Sequence, residues 1–226
     1  MVTATGNLRQ LRLKAPASPE DLAELRIGDV VYLDGVIYTG REGVYRRAVE
    51  EGVPLPVDLP AVSNVNFHCS PAASRGPDGS YRIGAVTATA SFRFAKWMER
   101  WFAISGARVI IGKGGMSGEE YRRLFRPAGA VYLTTVGYGT GALLGRGVRR
   151  VRSVHWLEEL GIAQALWVLE VEKFGPLLVD GDLAGNSLFE RENAKLAERL
   201  RSVYEGLREP ALKRYGETTD RGDEVV

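Results

Sequence analysis

Ala107-Arg-Val-Ile-Ile-Gly-Lys-Gly-Gly-Met-Ser-Gly-Glu-Glu120 holds, in one short span, the signals that decide the fold class. The apolar, β-branched run Val109, Ile110, Ile111 predicts a short buried strand. Gly112-Lys-Gly-Gly115 ends it in a glycine turn. Ser117-Gly-Glu-Glu120 then has the capping-box pattern, in which a serine hydroxyl and a glutamate carboxylate each satisfy an amide at a helix start. A second strand is expected over Ala130-Val-Tyr-Leu-Thr-Thr-Val136. Strand, turn, helix and strand in succession make an α/β unit.

Outward from this unit, the periodicity continues on both sides. Phe94, Trp97, Met98, Trp101 and Phe102 fall at helical spacing within Phe92 to Ile104, so an amphipathic helix is expected there, with Trp97 and Trp101 in the core or at a subunit interface. Ser18-Pro-Glu-Asp21 reads as another helix start. In Asp29-Val-Val-Tyr-Leu-Asp-Gly-Val-Ile-Tyr38, two apolar runs flank Asp34-Gly35, the dipeptide of a tight hairpin. A short helix is expected after Arg41. Residues Glu51 to Asp78, rich in proline, read as loop and short strand, with His68-Cys-Ser-Pro-Ala72 a compact turn. Toward the C-terminus the pattern gives a short helix at His155 to Leu160 and a strand at Ala165 to Phe174. A hairpin is expected at Leu177 to Leu183 and a long helix from Phe189. Hairpins mixed with helix–strand alternation predict an α/β class with a mixed, layered sheet. One domain is expected over residues 1–226, with its core at about 8–190, a C-terminal helix at 190–215 and a tail at 216–226.

Composition narrows the function. With 45% hydrophobic residues the chain can bury a sizeable core, and its longest apolar runs, such as Ala165 to Leu169, are too short to span a bilayer. A cytoplasmic protein with no membrane association is expected. Thirty basic and 28 acidic residues nearly cancel, so there is no electrostatic footprint of a nucleic-acid binder. The basic run Arg146 to Arg152 reads as a solvated loop or a subunit contact. Cys69 stands alone, which excludes an intrachain disulfide and a thiolate-held iron–sulfur cluster, since the cluster needs three or four thiolates.

Familiar catalytic motifs fail on spacing. Gly106 to Lys113 has one residue too many for a P-loop, and Gly114 stands where a Ser or Thr would bind magnesium. Gly137-Tyr-Gly-Thr-Gly141 misses the dinucleotide fingerprint, and no clean helix pattern follows it. Ser91 lacks the glycines of a nucleophile elbow, and His68 and His155 lack metal-ligand spacing.

Four segments remain, each placing a cation or hydroxyl beside closely approachable backbone. They are Tyr38-Thr-Gly-Arg41, His68-Cys-Ser-Pro-Ala72, Thr87-Ala-Thr-Ala-Ser-Phe-Arg93 and Ile111-Gly-Lys-Gly-Gly-Met116. Arginine forks suit planar carboxylates and lysine adds a compact charge, so the set suits a small dicarboxylate.

Together with Val131-Tyr-Leu-Thr-Thr-Val-Gly137, Trp156-Leu-Glu-Glu-Leu-Gly161 and Val168-Leu-Glu-Val-Glu172, these segments resemble the β subunit, or the fused C-terminal domain, of class I fumarate hydratases and L-tartrate dehydratases. The resemblance covers roughly Leu11 to Phe189. It implies a swivelling β/β/α domain that closes over a [4Fe–4S] cluster bound by a separate α subunit, in a heterodimer or α2β2 assembly. It also implies Thr89 as the catalytic base, with Arg41, Arg93 and Lys113 as the carboxylate clamp. His68, beside Cys69 and Pro71, reads either as a further substrate contact or as a buried turn histidine that hydrogen-bonds backbone. Fumarate hydration to malate is the expected reaction. Tartrate dehydration is the alternative within the class, and a non-catalytic dicarboxylate-binding or assembly module the alternative outside it. One departure stands out: the family usually reads Gly-Pro-Thr-Thr-Ser where this chain has Thr87-Ala-Thr-Ala-Ser91.

Overall fold

The computed structural model describes residues 8–137 and 139–205. In chain order the elements begin with β1 (Gln10–Ala15), α1 (Pro19–Ala23), β2 (Val30–Thr39) and α2 (Glu42–Tyr45), which continues into a π-helical turn (Arg46–Glu50). Next come α3 (Leu59–Val62), β3 (Val65–Phe67), β4 (Cys69–Arg75), β5 (Tyr81–Ala88) and a 3-10 turn (Phe92–Phe94) leading into α4 (Ala95–Ser105). After β6 (Val109–Gly112), α5 (Gly118–Glu120) passes through a π-helical turn (Tyr121–Phe125) into α6 (Arg126–Ala128). The remainder is β7 (Val131–Thr135), α7 (Gly141–Gly147), β8 (Val148–His155), α8 (Leu157–Leu160), β9 (Leu166–Gly181) and α9 (Leu188–Tyr204).

Seven strands form one mixed sheet in the order β1-β2-β3-β6-β7-β9-β8. Its hydrogen bonding closes on itself, because β9 pairs antiparallel with β7 and also returns to β2. Strand alternation divides the apolar residues between two cores. Leu33, Ile37, Val109, Ile111, Val131, Leu133, Trp167 and Leu169 face the inner core, which also takes Cys69 and Val86 from the β4–β5 hairpin and Leu144 from α7. Val36, Tyr38, Ile110, Tyr132, Leu166 and Val168 face the other way, against Tyr45, Trp97, Trp101, Tyr121 and Phe125 of the helical segments. Hairpin, curled sheet and helices make three layers, in agreement with the expected layered α/β class.

The expected capping box forms at Ser117 with Glu120, and the helix start expected at Ser18 is also closed by a capping box, with Asp21. The helix carrying Trp97 and Trp101 is present, and both rings are buried.

Several local expectations are corrected. Asp34-Gly35 does not turn a hairpin but lies within the continuous strand β2. The Asp34 carboxylate accepts from Arg12 at 2.8 Å and from the Lys173 amide at 2.8 Å. Gly35, at φ 111°, lets Ala15 of β1 come so close that a Cβ would lie 2.1 Å from its carbonyl oxygen. The dipeptide that resembled a turn instead serves close packing between strands. Cys69-Ser-Pro-Ala72 is not a turn but the start of β4, whose hairpin turns at Gly76 to Ser80. Residues 177–181 complete the long β9 and turn only afterwards, around Asp182, whose carboxylate accepts from the Ala184 and Asn186 amides. The basic run 148–152 belongs to the sheet-edge strand β8, where Arg149, Arg150 and Arg152 pair with Glu172 and Glu170 of β9. A helix, α7, does follow Gly141; its three glycines have low helix propensity, which hid it from the pattern.

Residues 1–190 and 191–226 form two compact units. Only the described residues, up to 190 in the first and 191–205 in the second, bear on these units. Those of the second continue α9, with Glu192 paired to Arg191 and Lys195. The rest of the helix expected to residue 215, and the tail at 216–226, lie outside the described residues. No helix among the described residues is long and apolar enough to cross a membrane.

Gly35→Ala is expected to lower stability by roughly 2–4 kcal/mol, combining positive-φ strain with displacement of the β1 backbone. Urea unfolding measures it, and a loss below about 1 kcal/mol would contradict the close-packing role.

Candidate functional site

β2, β3, β6 and β7 lie side by side and all run parallel. Their carboxyl ends therefore open along one edge, where ligands of parallel sheets commonly bind. Arg41 follows β2, His68 follows β3, Lys113 follows β6 and Gly137 follows β7. Residues distant in sequence arrive together because the sheet order places their strands next to one another.

Thr89 is brought in by the hairpin. The His68 amide donates to the Ile111 carbonyl at 2.8 Å, and the Thr89 amide to the His68 carbonyl at 2.7 Å. The Lys113 amide donates to the Thr89 carbonyl at 3.2 Å, and the Ser91 amide to the Lys113 carbonyl at 3.2 Å. This backbone ladder extends the sheet beyond its strands and sets Thr89 between His68 and Lys113. Thr89 is buried, while Arg93 at the start of the next helix is exposed, with its guanidinium 5.7 Å from the Phe94 ring centre.

The electrostatics favour an anion. Arg41 donates to the Ala163 carbonyl at 3.0 Å and to the Ser70 hydroxyl, while its Nε is buried without a partner among the described residues. Burial pushes the Arg41 pKa down, and the neighbouring positive charge of Arg93 pushes it further. Neither arginine forms an ion pair with a carboxylate among the described residues. Two like charges held in proximity, one partly desolvated, leave positive potential for a ligand to neutralise.

Lys113 lines a small, solvent-open cleft of about 70 Å³ with Thr87, Thr135, Gly137, Thr140 and Leu144. Thr135 and Thr140 carried no signal of their own beyond membership of longer motifs, and the parallel alignment of β7 with β6 places them beside Lys113.

His68 is fully buried, edge-on to Phe94 and Tyr45, with Nδ1 2.7 Å from the Ser91 hydroxyl and Nε2 without a partner among the described residues. The Tyr132 hydroxyl donates to the same Ser91 oxygen at 2.7 Å. Ser91 and Tyr132 carry no sequence signal beyond membership of longer motifs, because the hydrogen bond that joins them crosses 41 residues. Cys69 is buried in the inner core, as expected for a small apolar side chain, and burial pushes its thiol up. No group of three or more His, Cys, Asp or Glu side chains among the described residues could hold a metal ion.

Burial pulls the His68 imidazole down to about 3 from an ordinary 6.5. Below pH 6.5 the unfolded ring binds a proton that the folded ring refuses until about pH 3. His68 therefore destabilises the fold progressively as pH falls through that window and has no such effect above it. Between pH 6 and 5 the wild-type chain is expected to lose stability more steeply than His68→Gln, by up to about 1.4 kcal/mol per pH unit. Equal slopes in urea titrations at the two pH values would contradict the buried, neutral ring.

The geometry can be set beside known proteins. A family profile described as "Fumarase C-terminus" matches residues 2–192. A protein of Methanocaldococcus jannaschii named "Putative L(+)-tartrate dehydratase subunit beta" is 37% identical over 187 residues, covering 81% of this chain and 93% of that protein. The L(+)-tartrate dehydratase subunit beta of Escherichia coli is 33% identical over 195 residues, 85% of this chain and 93% of its own length. A longer protein of Geobacillus stearothermophilus, named "Putative fumarate hydratase class I", is 31% identical over 192 residues, 85% of this chain and 36% of its own length. The expected family is thus the observed one: this chain belongs to the Fumarase C-terminus family of hydro-lyase chains.

Proposed function

We propose that the chain is the substrate-gripping β subunit of a hydro-lyase acting on a four-carbon dicarboxylate, most directly the interconversion of fumarate and malate. The observation that carries this reading is the convergence of Arg41, Lys113 and the Thr89–Arg93 segment at the carboxyl edge of adjacent parallel strands. Arg41 and Arg93 would hold carboxylates through charge-assisted, paired hydrogen bonds, and Lys113 would add a point charge. Thr89 would act as the base, its oxygen taking the proton from the carbon next to one carboxylate as the C–O bond on the neighbouring carbon breaks. Charge then accumulates on that carboxylate as its aci form, which the same cations stabilise more strongly than the ground state. A threonine hydroxyl is weakly acidic in water, and the surrounding positive charge favours its alkoxide. His68, whose ring is sealed below the surface, would act from beneath the site and not by contacting substrate.

A [4Fe–4S] cluster, which when bound acts as a Lewis acid on the substrate hydroxyl, does not fit this chain, whose lone cysteine is buried in the core. We assign it to a partner α subunit, in keeping with the β-subunit names of the relatives, and place the assembly in the cytoplasm. L-tartrate dehydration is the second reading. It is favoured by relatives that this chain covers to 93% of their length and that carry that name.

In the complex reconstituted anaerobically with its partner, Thr89→Ala is expected to lower kcat by about 100-fold or more. Wild-type turnover in that variant would remove Thr89 as the base. Arg41→Ala is expected to raise the KM for dicarboxylate by roughly 10- to 100-fold, the worth of a charged, paired hydrogen bond. An unchanged KM would take Arg41 out of the clamp. Side-by-side kinetics on L-malate and L-tartrate decide between the two substrates, and a complex that binds both but converts neither would mark a non-catalytic binding module.

A further inference from the structure

Ser91 occupies the residue before the 3-10 turn that opens α4, where a serine ordinarily turns its hydroxyl toward helix amides. Here it makes no such cap. Its side chain points inward, fully buried, within 2.7 Å of both the Tyr132 hydroxyl and His68 Nδ1. The protons can run in one direction: Tyr132 O–H to Ser91, Ser91 O–H to Nδ1 of a neutral His68. This order requires the ring proton on Nε2.

The strand beside this chain of bonds leaves no spare room. A Cβ on Gly112 would lie 1.9 Å from the Ser91 oxygen and 2.6 Å from the Tyr132 hydroxyl, so the glycine preceding Lys113 is what admits the arrangement. The network joins His68, just after β3, and Tyr132, within β7, to the segment that carries the reacting group. We propose that Ser91 is the positioning residue of the site: its hydroxyl, held between Tyr132 and His68, sets where Thr89 and Arg93, two residues to either side, meet the substrate. This rests on the reading of Thr89 as the base.

The test uses the full-length chain reconstituted with its cluster-bearing partner, comparing Ser91→Ala, Tyr132→Phe and Thr89→Ala. Loss of the anchor misplaces Thr89 while the long clamp side chains can still follow the substrate. Ser91→Ala is therefore expected to lower kcat by about 30- to 100-fold, with the KM for L-malate changing by less than about threefold. Tyr132→Phe keeps the ring in its core position and is expected to lower kcat in the same sense by a smaller factor, so the idea stays testable if Ser91→Ala folds poorly. Nitrogen NMR of His68 gives a second readout, independent of turnover: Nε2–H in the wild-type chain, and loss of that single tautomer in Ser91→Ala. Both variants turning over within about twofold of wild type, beside an inactive Thr89→Ala, would overturn the positioning role and leave the base assignment standing. A normally active Thr89→Ala would instead remove the base, and with it the ground for this proposal.

Discussion

A short run of backbone hydrogen bonds, from Ile111 through His68, Thr89 and Lys113 to Ser91, is the constraint on which the rest of the site depends. It continues the β3–β6 pairing beyond the end of the sheet and recruits the hairpin that follows β3 as a further strip. Side chains on surface loops would sample many positions. Here the loop backbone is tied in register, so the positions of Thr89 and Lys113 are inherited from the packed sheet. Tyr121 reinforces this from below, accepting from the Met116 amide at 2.9 Å and donating to the buried Asp180 carboxylate.

The electrostatic character follows from the same geometry. Arg41 begins a helix directly after β2, and the Ala163 carbonyl and Ser70 hydroxyl, both neutral, hold its guanidinium. Neutral partners orient the cation without cancelling its charge. Burial and the proximity of Arg93 then make the site a place where an anion relieves repulsion. The inner core, closed by β9 returning to β2, supplies the stiffness that keeps two like charges in place.

Much of this was legible in the sequence where the physics is local. The helix start at Ser18, the capping box at Ser117, the Trp97–Trp101 helix and the β6 and β7 strands depend on neighbours within one or two turns, and all form where expected. Three of the errors share one cause. Asp34-Gly35, Cys69-Ser-Pro-Ala72 and residues 177–181 carry turn-like chemistry but sit in strands, because partners remote in sequence supply their hydrogen bonds and close packing. Propensity yields to tertiary context in such cases.

The sequence by itself determined the class of the fold, the family, the absence of thiolates for a cluster and the set of cations suited to a diacid, since composition, motif order and charge are properties of the chain alone. Only the tertiary structure decided that Arg41, Lys113 and Thr89 share an edge, that His68 lies sealed beneath it, and that Ser91 and Tyr132 join the support. Strand order, register and burial arise from pairings between residues tens of positions apart, and those pairings exist only once the chain has closed on itself.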